Sequence, residues 1–124
     1  MRARGFTVIE LLVVLAALAL LLSLAAPRYY AHVDRSREAV LRHNLRAMRE
    51  AIDQYQADRG AYPPNLAALV ETRYLKEIPL DPITERVDSW VLKSAASIGV
   101  SGGVANVVSG ASGKGGDGTA YAAW

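Results

Sequence analysis

A single acid within a long apolar block constrains this chain more than any other feature. Residues 6–26 carry only Thr7, Glu10 and Ser23 as polar side chains. At about 1.5 Å per residue, a helix of that length spans roughly 30 Å, the hydrocarbon thickness of a bilayer. The block therefore predicts a membrane-spanning helix. Glu10 lies inside it, where a carboxylate costs on the order of 2.5–3.5 kcal/mol on insertion scales. Desolvation disfavours the charged form, so an isolated Glu10 must protonate or find a cation. Arg2 and Arg4 precede the block and Arg28 follows it. The basic start is expected on the cytoplasmic side, with the bulk of the chain outside.

A secretory signal peptide shares the basic start and the apolar run, with a cut expected near Leu24-Ala25-Ala26 and a mature start near Arg28. Two features oppose it. Glu10 brings no benefit to export, and the periodic pattern continues past Pro27 as one element. Beyond Pro27, the apolar residues Val33, Leu41, Leu45, Met48, Ile52 and Tyr55 recur mostly at spacings of three and four, with Ala31 and Val40 beside them. That is a helix with one buried stripe. Its other faces read as solvated and offer three opposite-charge pairs four residues apart: Glu38 with Arg42, Arg46 with Glu50, and Arg49 with Asp53. Each such pair contributes about 0.2–0.5 kcal/mol. Pro27 removes one backbone hydrogen bond, so a kink or local melting is expected there. Gly60 as a cap, followed by Pro63-Pro64, stops the helix near Arg59. Tyr29 and Tyr30 fall where a membrane interface should be and read as interfacial anchors.

The stretch Arg4-Gly5-Phe6-Thr7-Val8-Ile9-Glu10-Leu11-Leu12-Val13-Val14 resembles the prepilin signature of the type IV pilin-like family: a short basic leader ending in glycine, then Phe, then Thr-x-x-Glu-Leu. The resemblance implies a leader of residues 1–5, cut after Gly5 by a dedicated membrane peptidase that also methylates the new amine of Phe6. It implies that Glu10 is the assembly residue, paired with the amine of a neighbouring subunit. The residues themselves leave pairing within one helix equally open. Pro27 also matches the pilins in position. Two later runs, Asp58-Arg59-Gly60-Ala61-Tyr62-Pro63 and Tyr74-Leu75-Lys76-Glu77-Ile78-Pro79-Leu80-Asp81-Pro82, resemble segments of the major pseudopilins of type II secretion.

The remainder reads as a small α+β head. A short helix is expected over residues 66–70 and two antiparallel strands over 88–93 and 104–109, joined by a small, flexible connection over 97–103. Residues 110–118 hold five glycines. Trp124 is expected to pack back on the sheet or helix as a lid. In major pseudopilins, the resemblance implies, the equivalent loop binds calcium. Here that loop has one acid, Asp117, and one lysine, whereas calcium takes six to eight oxygens, several of them charged. The expectation is no cofactor and no metal, with Asp117 and backbone carbonyls as the core of a calcium site should one exist.

Other function classes find little support. The formal charge of +2 is accounted for by Arg2 and Arg4, and no basic patch suggests nucleic acid. Cysteine is absent, which removes thiolate chemistry and cysteine-ligated zinc. His32 and His43 have no acidic or nucleophilic neighbour arranged as a triad, so no enzyme is expected. The expected fold is α+β and pilin-like. It has a transmembrane helix over residues 6–27, an amphipathic continuation over 28–59, and a head over 60–124 on a small antiparallel sheet. The expected function is that of a structural subunit of a type II secretion pseudopilus, anchored in the inner membrane with its head in the periplasm. The implied partners are further copies of itself, minor pilins or pseudopilins, the prepilin peptidase and an inner-membrane assembly platform. A type IV pilus subunit is the alternative within the family, and a monomeric membrane-tethered binding module the alternative outside it.

Overall fold

The structure, a computed structural model, describes residues 3–124. Met1 and Arg2, part of the expected leader, lie outside the described residues. Helix α1 runs Val8–Arg59, followed by α2 at Leu66–Glu71, strand β1 at Val91–Ser94 and strand β2 at Val104–Val108. This is an α+β arrangement in which one long, N-terminally apolar helix accompanies a two-stranded antiparallel sheet. The chain divides into two compact units, one ending at Asp34 and the other spanning Arg35–Trp124.

The first unit is almost pure α1. Its most apolar window has a mean hydropathy of 2.8 and no buried residue, so the helix is long and apolar enough to cross a membrane. Pro27 lies within α1, and the helix continues on both sides of it. The ring of proline costs one backbone hydrogen bond there. Tyr29 and Tyr30 are exposed and meet edge to face, with ring centroids 5.9 Å apart.

In the second unit, α1 becomes one-sided. Leu41, Leu45, Met48, Ala51 and Ile52 are its buried residues, three and four apart as an amphipathic stripe requires. They pack with Leu66 and Leu69 from α2, Val104 and Val107 from β2, and Trp90. Each large side chain buried there contributes about 1.5–3 kcal/mol. The stripe is narrower than its sequence pattern: Val40 and Ala31 are exposed, and Val33 and Tyr55 only half-buried. At its end, the Gly60 N–H still donates to the Gln56 carbonyl at 2.8 Å, and Gly60 takes φ +71°, a conformation that costs glycine little. Asn65 then caps α2 by accepting from the Ala68 N–H at 2.8 Å.

The strands are shorter than expected. Asp88 lies outside β1 and takes a two-pronged contact from Arg86, at 2.7 and 2.8 Å. That contact raises the Arg86 pKa and lowers that of Asp88, the hydrogen bond between them being the main cause in each case. Val91 pairs with Val108 and Leu92 with Val107, and a bulge follows Lys93. The connection is more ordered than its small residues suggested. Residues Ala95–Ile98 form a 3-10 turn, capped where the Ser94 hydroxyl accepts from the Ala96 N–H at 3.2 Å. Ahead of the sheet, Asp81 is fully buried. Its carboxylate accepts from the Ile83 N–H at 2.8 Å and from the Ser109 hydroxyl, which ties the Asp-Pro turn to the residue after β2.

Candidate functional site

Two clusters carry the chemistry that the sequence singles out. At the N-terminal one, residues 3–7 are exposed and have no regular structure, and α1 begins at Val8. The Gly5–Phe6 bond therefore lies in open chain ahead of the helix. Phe6 is 92% exposed. A side chain added at Gly5 would meet nothing within 4 Å. The fold of the chain itself places no demand for glycine there, so whatever demand exists comes from something that binds this segment.

Glu10 lies in the first turn of α1. Its Oε2 accepts from the Thr7 N–H at 2.8 Å, and the Thr7 hydroxyl accepts from the Glu10 N–H at 3.1 Å. This reciprocal pair is a capping box, satisfying two of the donors that a helix start leaves unpaired. The positive end of the helix dipole also favours a carboxylate at this place. Sequence reasoning sought a cation for Glu10 and passed over Thr7 as a partner. The Thr-x-x-Glu spacing was the signal that would have found it.

The second cluster is the C-terminal loop. Lys114 and Ala120 form an isolated antiparallel bridge, and the Gly115 N–H donates to the Thr119 carbonyl at 2.8 Å. A Cβ at Gly115 would lie 2.2 Å from Cζ2 of Trp124, so only glycine lets the indole close on the loop. Asp117 accepts from the Thr119 hydroxyl at 2.6 Å, from the Thr119 N–H at 2.9 Å and from Arg42 Nη2 at 3.0 Å. These bonds, the Thr119 hydroxyl first, hold its carboxyl below the usual range.

The charged faces of α1 differ here from their expected role. Arg42 pairs with Asp117 rather than with Glu38. Glu38 accepts from the Gly116 N–H at 2.8 Å and from the Tyr121 hydroxyl at 3.2 Å. Arg49 donates through Nε to Asn106 Oδ1 at 2.8 Å and through Nη2 to the main-chain oxygens of Val107 and Trp124. Partial burial lowers the pKa of Arg49 by desolvation. Glu38 and Arg49 are thereby half-buried, while Arg42, Arg46, Glu50 and Asp53 stay exposed. Trp124 does pack back on the core: Arg42 lies 3.8 Å from its ring centroid, and Tyr121 meets it edge to face at 5.1 Å.

Among the described residues, no group of three or more His, Cys, Asp or Glu side chains comes together. The carboxylate of Asp117 already faces a guanidinium. His32 and His43 are both exposed on α1.

Residues 1–26 match the family described as Prokaryotic N-terminal methylation motif. The chain is 33% identical over 94 residues to a type II secretion system core protein G of Pseudomonas aeruginosa, covering 63% of this chain and 66% of that one. With the core protein G of Klebsiella pneumoniae it shares 31% identity over 97 residues, 65% of this chain and 69% of the relative. With the type IV wide pilus major component PilA4 of Thermus thermophilus it shares 33% over 101 residues, 82% and 76%. The chain thus spans just under two thirds of the Pseudomonas relative's length. No solved structure matches. With an N-terminal methylation motif over residues 1–26 and 31–33% identity to relatives of which the chain covers more than two thirds, the chain belongs to the type IV pilin-like family, alongside the core G proteins of type II secretion.

Proposed function

We propose that the chain is a structural subunit of a type II secretion pseudopilus, cut after Gly5, methylated at Phe6 and polymerised through α1. The observation that carries this reading is the coincidence at one place of an exposed Gly5–Phe6 junction, a helix start at Val8 and an acid in the first turn of an otherwise apolar helix. The unburied apolar face of α1 needs lipid before assembly and other copies of α1 after it. In this reading Glu10 exchanges part of its bond to Thr7 for the amine of Phe6 on a neighbouring copy. Pro27 supplies a weak point in α1. The subunit is anchored in the inner membrane with its head in the periplasm. Its partners are other copies, minor pseudopilins, the prepilin peptidase and the inner-membrane assembly platform. It is not an enzyme.

Mass spectrometry of the protein purified from membranes tests the processing. The expected mature chain begins with N-methylated Phe6, and a dominant start at Met1 or Arg28 would overturn the reading. A type IV pilus subunit is the second reading, favoured by the broad coverage of this chain by the Thermus pilus component. Deleting the gene separates the two. Retention of exported proteins in the periplasm supports the pseudopilus, and loss of surface filaments with normal secretion supports the pilus.

A further inference from the structure

The loop over residues 110–118 contains one carboxylate, and both of its oxygens are engaged by donors of the chain itself. Oδ1 of Asp117 takes the N–H and the hydroxyl of Thr119, and Oδ2 takes Nη2 of Arg42. The carbon of the same guanidinium lies over Trp124, 3.8 Å from its ring centroid, while Trp124 Nε1 donates to the Thr119 hydroxyl at 2.6 Å. Arg42, Asp117, Thr119 and Trp124 thus close a ring of contacts. Glu38, the other carboxylate at the loop, is engaged by the Gly116 N–H and the Tyr121 hydroxyl.

A divalent ion on Asp117 would need several further oxygens and would stand against a fixed positive charge. A guanidinium does two things that a metal ion cannot do together: it neutralises the carboxylate through directed N–H donors and stacks on an aromatic face. We infer that Arg42 is the cation around which this loop is folded, and that closure of residues 110–124 on α1 is independent of divalent metal. The inference holds whichever filament the subunit serves, because it concerns the unassembled chain.

Hydrogen–deuterium exchange of the full chain in detergent micelles tests it, read by mass spectrometry on peptides from residues 110–124. The wild-type loop is expected to exchange identically in millimolar calcium and in excess chelator. Arg42→Met, which keeps bulk but loses the charge and the donors, is expected to speed loop exchange about tenfold. Protection of residues 44–52 should stay unchanged. Arg42→Lys, retaining the charge without the planar face, should recover part of the protection. Calcium slowing the loop in the wild type would overturn the inference, as would an Arg42→Met loop as protected as the original. Should Arg42→Met also lose protection over residues 44–52, the wild-type calcium comparison still decides.

Discussion

The unit ending at Asp34 and the unit from Arg35 onward satisfy the same physical requirements by opposite means. In the first, the apolar side chains of α1 are exposed, from Val8 at 85% to Leu24 at 67%, and the polar cluster at its start is Thr7 with Glu10. In the second, apolar residues from α1, α2 and β2 close on one another, and polar groups find partners far along the chain. One unit supplies its own core. The other has an apolar surface whose solvent must come from outside the chain; in the proposed reading that is first lipid and then neighbouring helices. The contrast teaches where to look for each property: membrane retention and assembly in the first unit, thermal stability in the second.

Mutations should respect that division, and a mutation that crosses it would break the comparison. The largest effect is expected at Glu10. In the proposed reading, replacing it with Leu removes an insertion cost and leaves an amine unpaired in the assembled state, a loss of about 3–5 kcal/mol per contact. Glu10→Leu should therefore insert normally, be cut normally and fail to polymerise, while the melting temperature of the head stays within error. Glu10→Gln should fall between. Sedimentation of sheared filaments measures the first effect. Polymerisation of Glu10→Leu at the wild-type level would sink the pairing account.

Next in size is Leu45→Ala, which leaves a cavity in the stripe of α1 and should cost about 2–5 kcal/mol of head stability. Circular dichroism on the detergent-solubilised chain should show the head melting at least several degrees lower. Membrane fractionation should be unchanged. If Leu45→Ala also releases the protein from the membrane, the two units are not energetically separate.

The smallest effect concerns acid. The carboxyl of Asp117 is held below its ordinary value in the folded chain, so its contribution is fully present above about pH 4 and is lost as pH falls through the depressed value. Tryptophan fluorescence should stay constant from neutral pH down to about pH 4 and change below it. The group is exposed, so the change should be slight. A transition centred well above pH 4 would point to a different group.

Local features were the legible ones. Gly60 marks the end of α1 because a glycine at φ +71° is a backbone fact written in one letter, and the stripe from Leu41 to Ile52 is a matter of period. The pairs Glu38 with Arg42 and Arg49 with Asp53 were equally local, yet the structure uses Glu38, Arg42 and Arg49 otherwise. Their partners, Asp117, Gly116, Asn106 and Trp124, lie 57 to 78 residues away, and a glycine-rich loop carries no periodicity to say where it docks. The strand limits failed as well: Asp88, Ser89 and Trp90 lie ahead of β1, with side chains engaged by Arg86, Thr84 and the Pro79 carbonyl, contacts that no strand pattern announces. Thr7 was missed although its signal was local, because a search for an opposite charge overlooks a backbone N–H.

Arg49 gives the head a mechanical property. One guanidinium rises from α1 and grips Asn106 and Val107 on β2 together with Trp124. A load entering the head along the helix axis at this level is delivered to the sheet and to the last residue through the same joint. Shear between helix and sheet must break these bonds together before either part slides. The head should therefore yield to force abruptly, as one block, and not by gradual peeling of its C-terminal segment.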